Sequence, residues 1–213
     1  MAAEQAAAAS AARRKRVGIV AGGVLAAAIV AVVVLAVVAG GDDTPTGPES
    51  TARIPGVQIE NLAEAARAAN CEVGTHRIEG RDHTGEAVEY QTNPPTSGDH
   101  DPTPAQDGVY APGNQPDVEA SVHSLEHGRI LIQYRKGTPA QRVNQLETLF
   151  NEEVKGTQGY HTLLFENQTN MDADLAVTAW GRTLTCPTWN DKVFDAIRAF
   201  RRDRVDKAPE FIP

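Results

Sequence analysis

The stretch Arg129-Ile-Leu-Ile-Gln-Tyr134 decides the fold class, because its β-branched and aromatic side chains predict a strand. Two later stretches have the same character and predict two more strands, His161 to Glu166 (HTLLFE) and Leu175 to Trp180 (LAVTAW). After the first strand, Thr138-Pro139 precedes apolar residues at helical spacing, which predicts an amphipathic helix to about Glu153. The middle of the chain is therefore predicted to combine strands and helices.

Helices are also predicted near both ends of this region. Residues Gln58 to Ala69 form one candidate helix, and Asn190 is the predicted N-cap of another, whose basic residues gather near its C-terminus, where the helix dipole favours them. The proline-rich stretch from Asn93 to Glu119 excludes regular helix and central strand. Together these patterns predict one compact α+β domain, a mixed sheet with helices, over residues 56–213.

The N-terminal part of the chain has a different character. Residues Val17 to Ala39 contain no charged or polar side chain, and a run of this length matches the ~20 apolar residues that cross a bilayer. The preceding Arg13-Arg-Lys-Arg16 predicts a cytoplasmic N-terminus by the positive-inside rule. We expect a cytoplasmic tail (1–16), a transmembrane helix (17–39), a flexible linker (40–55) and an extracytoplasmic domain (56–213), hence a single-pass protein of the cell membrane. A cleaved signal peptide is the alternative, with small residues at Val37-Val38-Ala39 near a plausible cleavage point.

The charge balance excludes one class of partner. The 213 residues carry 20 basic and 28 acidic side chains, and removal of residues 1–41 leaves 16 basic and 27 acidic ones. Nucleic-acid binding needs a basic patch, so we expect no nucleic-acid partner.

Two cysteines, Cys71 and Cys186, lie near opposite ends of the predicted domain. An extracytoplasmic compartment permits disulfides, and an even count leaves no odd thiol. We favour a structural disulfide between them. The alternative is a pair of metal ligands or redox thiols, although the chain has no CxxC spacing.

Three of the six histidines form the strongest candidate site. His123 and His127 lie four residues apart, a spacing that puts both on one face of either a helix or a strand. His100 ends the stiff segment Asn93-Pro-Pro-Thr-Ser-Gly-Asp-His100. Three imidazoles could therefore converge on one ion. The alternative is that they cap turns or form hydrogen bonds with the backbone.

The other histidines have plainer interpretations. His76 and His83 lie in polar surroundings and are predicted to be solvated, and His161 is predicted to cap a strand or lie at the surface.

The sequence His123-Ser-Leu-Glu-His127 also matches the HxxEH pattern of zinc peptidases. There both histidines bind zinc, and Glu126 would serve as the catalytic base. The pattern needs a long helix, whereas Gly128 follows at once and a strand begins at Arg129. The sequence therefore favours a binding role over catalysis.

Four long motifs stand out in the predicted domain, namely Tyr90-x-x-Asn-Pro-Pro-Thr-Ser-Gly-Asp-His100, Gly108-Val-Tyr110, Val122-His-Ser-Leu-Glu-His-Gly-Arg129 and Thr178-Ala-Trp-Gly-Arg182. They are similar to motifs of the bacterial domain of unknown function 3105 family. The resemblance covers roughly residues 74–209 and implies a membrane segment followed by an extracytoplasmic domain. It implies no activity. The family mostly has proline before the first motif histidine, whereas this chain has Asp99.

The expected ion follows from the types of ligand. Three imidazoles suit zinc or copper, and a thioether from Met171 would favour copper, since soft ligands select soft ions. We therefore predict a copper site formed by His100, His123, His127 and Met171. Zinc is the alternative ion, and the alternative for Met171 is an ordinary core side chain that binds no metal. Glu126 and Asp99 are the expected outer-shell groups. The predicted function is a membrane-anchored metal-binding protein, either a carrier or an assembly factor; the alternative is a scaffold for an envelope or membrane complex.

Overall fold

The computed structural model describes residues 51–210 and residue 212. The described part contains a six-stranded mixed sheet, a separate two-stranded hairpin and four helices. In chain order the elements are α1 (Leu62–Ala68), β1 (Glu72–Thr75), β2 (Gly108–Val109), α2 (Val118–Glu126), β3 (Ile130–Tyr134), α3 (Ala140–Phe150), β4 (Glu153–Val154), β5 (Thr157–Gln158), β6 (Thr162–Glu166), β7 (Leu175–Ala179), β8 (Arg182–Cys186) and α4 (Val193–Arg204).

The large sheet has the strand order β1-β8-β7-β3-β6-β2. The pairs β1–β8, β8–β7 and β7–β3 are antiparallel. The pairs β3–β6 and β6–β2 are parallel, so β3 joins the two halves of the sheet. Helix α3 lies in the connection between β3 and β6, as a parallel pair requires. Strand β4 pairs with β5 as an isolated hairpin in the same connection.

Strand β3 is buried on both faces, which explains why its sequence is almost continuously apolar. Ile130 and Ile132 face the larger hydrophobic core, to which α1, α3 and α4 also contribute. Leu131 faces the opposite way, into a smaller cluster with Leu125 of α2. Helix α2 is therefore held against the sheet on the face opposite the other three helices.

A disulfide joins Cys71 to Cys186, with an S–S distance of 2.02 Å and Cα atoms 4.2 Å apart. In the antiparallel β1–β8 pair, Glu72 lies opposite Thr185. Cys71, one residue before Glu72, therefore lies opposite Cys186, one residue after Thr185. The predicted structural disulfide is confirmed, and the described residues contain no free cysteine.

The three strands predicted from the sequence are confirmed as β3, β6 and β7, each within one residue of its expected bounds. The first predicted helix is shorter than expected because it begins at Leu62, where the Asn61 side chain accepts a hydrogen bond from the Glu64 N–H. Helix α3 begins after Pro139, and Thr138 binds the Arg135 carbonyl instead of capping the helix.

The end of the proline-rich stretch, for which no regular helix was predicted, already belongs to a helix. Helix α2 begins at Val118 and has nine residues. It is stabilised by packing, since Val122 and Leu125 are almost completely buried.

The fold-class prediction that included a transmembrane helix is corrected. Within residues 51–210 and residue 212, the longest helix has 12 residues, and none is long and apolar enough to cross a membrane. The predicted tail (1–16), the predicted helix (17–39) and most of the predicted linker (40–55) lie outside the described residues. The supported fold is a mixed α+β domain with four helices in the described part.

Candidate metal centre

Helix α2 presents three chemically active side chains at its C-terminal end. His123, Glu126 and His127 follow the spacing i, i+3 and i+4, so they lie on the same side of the helix. The helix ends at Gly128, whose φ of +81° favours glycine. A Cβ atom at this position would also lie 2.8 Å from the Cα of Asp206, so the turn into β3 needs a glycine for two reasons.

The loop before residue 101 presents His100 from a packed environment. Ser97 and His100 are fully buried, and the peptide bond between Asn93 and Pro94 is cis. Gly98 has a φ of +137°, and a Cβ atom there would lie 2.7 Å from the Tyr90 ring. This close packing fixes the direction of the His100 imidazole.

A third segment brings His83 to the same place. The His100 N–H donates to the Asp82 carbonyl at 3.0 Å, and the Thr84 N–H donates to the His100 carbonyl at 2.8 Å. These two bonds form a parallel bridge between His83 and His100. His83 is exposed, as the sequence analysis predicted, but it lies beside buried residues with potential donor atoms that are distant in the chain.

Four side chains converge at this point. His83, His100, His123 and Glu126 each offer one ligand atom, and these atoms lie within 4.8 Å of one another. Two ligands ~2.0–2.2 Å from one ion lie at most ~4.4 Å apart, so small side-chain rotations would complete a shell. The donor set of three imidazoles and one carboxylate suits a borderline divalent ion.

Backbone carbonyls determine which ring nitrogens face the centre. His100 Nδ1 lies 2.8 Å from the Gly98 carbonyl oxygen, and His123 Nδ1 lies 2.7 Å from the Asp101 carbonyl oxygen. A carbonyl can only accept, so each Nδ1 carries the hydrogen, and each neutral ring keeps its lone pair on Nε2. Such a second hydrogen bond is typical of metal-binding histidines.

The His100 Nε2 atom faces the Glu126 carboxylate in the interior of the domain. It is buried, makes no hydrogen bond within the described residues, and lies 3.1 Å from Glu126 Oε2. With the lone pair on Nε2, two electron-rich atoms face each other at this distance. A cation between them, or a proton on His100, would relieve the repulsion.

The electrostatics favour neutral imidazoles on helix α2. Burial lowers the pKa of His123 to about 4, against a smaller opposing effect of its hydrogen bond to the Asp101 carbonyl. Burial also lowers the pKa of His127, and the nearby Arg129 adds to this effect. Burial raises the pKa of Glu126, while His100 and Arg81 oppose the rise. Both imidazoles are therefore neutral at neutral pH, and each has one ring nitrogen that carries no hydrogen.

His127, a predicted ligand, lies next to the four-donor group. Its Nε2 is 3.0 Å from His123 Nε2 and 3.6 Å from Glu210 Oε2. The HxxEH pattern assigns both of its histidines to the metal and keeps its glutamate as base. Here the four-donor group contains His123 and the glutamate instead, so the geometry gives the peptidase interpretation no support.

The remaining predicted residues have distinct positions. Met171 is buried, and its backbone N–H donates to Asn167 Oδ1 at 3.1 Å; its role as a thioether ligand stays a prediction. The Asp99 carboxylate accepts from the Asp82 N–H at 3.1 Å, so it supports the segment that carries His83. Glu126, predicted to be an outer-shell group, lies among the donor atoms themselves.

Sequence reasoning missed His83 because its neighbours are polar and its spacing to the other histidines has no pattern. Only the backbone bridge to His100 brings it to the site, and such pairing of distant segments leaves no local signal.

Residues 82–211 match the family described as "Protein of unknown function (DUF3105)". The chain belongs to the DUF3105 family. The match begins one residue before His83 and includes all four donor residues of the candidate centre in this DUF3105 domain. The resemblance seen in the four sequence motifs is thus confirmed. No curated protein and no solved structure matches the chain.

Proposed function

We propose that this DUF3105 domain binds one metal ion through His83, His100, His123 and Glu126 and acts as a metal carrier or assembly factor. The observation that carries the proposal is the pair of buried imidazoles whose Nδ1 hydrogens are held by backbone carbonyls. Their Nε2 lone pairs are directed to the same region as a buried carboxylate, and His100 Nε2 makes no hydrogen bond within the described residues.

Copper is the preferred ion, and zinc is the alternative. Imidazole and carboxylate donors suit both Cu²⁺ and Zn²⁺, and the affinity order of divalent ions places copper first. Cu⁺ prefers softer donors, so its binding would depend on the predicted Met171 thioether.

The exposure of His83 supports a carrier role. A purely structural site is closed by buried ligands, whereas here one of the four donors faces solvent. An ion, or a ligand from a partner, could enter on this side without opening the core.

The Cys71–Cys186 disulfide supports a location outside the cytoplasm, because such bonds persist in oxidising compartments. We therefore propose that the domain handles its ion in the cell envelope, where a membrane or envelope protein would be its partner.

The test is a calorimetric titration of the full-chain protein with Cu²⁺ and, separately, with Zn²⁺. We expect one ion per chain, and a loss of affinity of about a hundredfold or more in the double variant His100→Ala/His123→Ala. His76→Ala is the matched control, because His76 is half-buried and bonds to Thr183 Oγ1 outside the centre. Unchanged metal affinity in a folded double variant would show that these residues do not form the metal site.

A second titration with Cu⁺ under reducing conditions tests the thioether. A lower Cu⁺ affinity in Met171→Leu, with an unchanged Cu²⁺ affinity, would place Met171 among the ligands. A partner that co-purifies equally with the His100→Ala/His123→Ala variant would favour the scaffold alternative.

A further inference from the structure

The C-terminal segment, residues 206–210, folds back across the end of helix α2. Its first residue, Asp206, donates its N–H to the Gly128 carbonyl at 2.9 Å, and the Asp206 carboxylate accepts hydrogen bonds from Lys155, Tyr160 and His161. At the other end, the Glu210 N–H donates to a carbonyl of the α2 end at 3.1 Å. The segment is thus held at Asp206 by its backbone and its carboxylate and at Glu210 by one backbone bond, and beyond Glu210 the Arg129 side chain donates to the Ile212 carbonyl.

The carbonyl that holds Glu210 is that of Glu126, one of the four proposed donors. The Glu210 side chain is exposed, and its Oε2 atom lies 3.6 Å from His127 Nε2, beyond the length of a good hydrogen bond. Glu210 therefore lies directly beside the candidate centre.

His127 has one Nε2 hydrogen and two acceptors to choose from. His123 Nε2 must be an acceptor, because Nδ1 of that ring donates to the Asp101 carbonyl. His127 Nε2 lies 3.0 Å from it, so His127 must be the donor of that bond. The Glu210 carboxylate is the second acceptor, and it is too far away to compete in this state.

We propose that an ion bound at His123 redirects the His127 Nε2–H to Glu210 and thereby tightens the C-terminal segment. The inference rests on the proposed function. An ion takes the lone pair of His123 Nε2, so the bond from His127 loses its acceptor and its hydrogen faces a positive charge. The Glu210 carboxylate then becomes the favoured acceptor, and the new bond is assisted by charge.

The consequence is a link between the centre and the surface. Closure of Glu210 onto His127 adds a second contact beside the existing bond from its N–H to the α2 end. The C-terminal segment would then be ordered when the centre holds an ion and looser when it does not.

The test is amide hydrogen exchange of the full-chain protein with EDTA and with saturating Zn²⁺. We expect exchange at the Glu210 amide to slow about tenfold or more with Zn²⁺, as the gain of a hydrogen bond to a charged group implies. Because coupling between two sites is reciprocal, the variant Glu210→Ala should bind Zn²⁺ about tenfold more weakly than the wild type and should show no such slowing. Glu72→Ala, a change at an exposed glutamate on β1, is the matched control and should behave like the wild type.

Ring ¹⁵N spectra give an independent readout. His127 Nε2 should keep its hydrogen when Zn²⁺ binds, with a shifted resonance. Loss of that hydrogen would make His127 a ligand, as the sequence predicted, and would overturn the inference. Zn²⁺ binding without a change in Glu210 exchange would overturn the inference alone, whereas the absence of Zn²⁺ and Cu²⁺ binding in the wild type would remove the proposed function as well.

Discussion

Removal of the disulfide should cost a large part of the stability of the domain. The bond joins residues 115 positions apart, so it constrains most of the described chain in the unfolded state. The chain-entropy relation gives about 4–5 kcal/mol for a loop of this length. A domain of this size has about 5–15 kcal/mol in total, and the loss corresponds to a fall in melting temperature of about 10–20 °C.

The variant to measure is Cys71→Ala/Cys186→Ala, which removes the bond without leaving a thiol. Urea unfolding followed by tryptophan fluorescence gives the free energy of unfolding, and we expect a larger m-value because the unfolded chain is less compact. As a control, dithiothreitol should lower the stability of the wild type toward that of the variant and should leave the variant unchanged. A loss of less than about 1 kcal/mol would refute the view that the bond acts by restricting the unfolded chain.

Three further measurements test the site and its support. Zn²⁺ at a hundredfold excess over its Kd should raise stability by about 2.7 kcal/mol and the melting temperature by about 5–11 °C in calorimetry, and EDTA should reverse the effect; an unchanged transition would contradict metal binding. The free energy of unfolding should fall by about 1–3 kcal/mol as the pH drops from 6.5 to about 4. The reason is that His123 becomes protonated in the unfolded chain over this range but stays neutral in the folded protein, where its pKa is about 4. An equal dependence of stability on pH in a His123→Leu variant would contradict this. Leu125→Ala should cost about 2–5 kcal/mol and weaken metal binding, since fully buried Leu125 holds α2 against the sheet; a cost below about 1 kcal/mol in urea unfolding would show that α2 is held otherwise.

The central strands could be predicted because buried strands consist mainly of apolar residues. Strand β3 is apolar on both faces, and β6 and β7 are nearly so. Strands β1 and β8 were not predicted, since β1 (EVGT) is short and mostly exposed and β8 (RTLTC) has only two apolar side chains among its five residues. Their pairing depends on a partner that is distant in the chain, which a local pattern cannot reveal.

In the candidate metal centre, too, local patterns predicted some residues, whereas others depend on contacts between distant segments. The i, i+4 pair His123 and His127 could be read from the sequence, and the stiff loop pointed to His100. Glu126 was assigned an outer role, in which it would orient an imidazole through the free N–H of the ring, whereas its place among the donors depends on how α2 packs. The β-bridge that brings in His83 has no local signature at all.

The four donors come from three stretches of chain, around residues 83, 100 and 123–126. A nascent polypeptide therefore has no four-donor chelate, and the chelate arises only when these stretches have come together. Under the proposed function, the place where the chain completes its folding decides which ion it acquires. A domain that matures in the envelope would load from the envelope supply, independently of the metal content of the cytosol where it is translated.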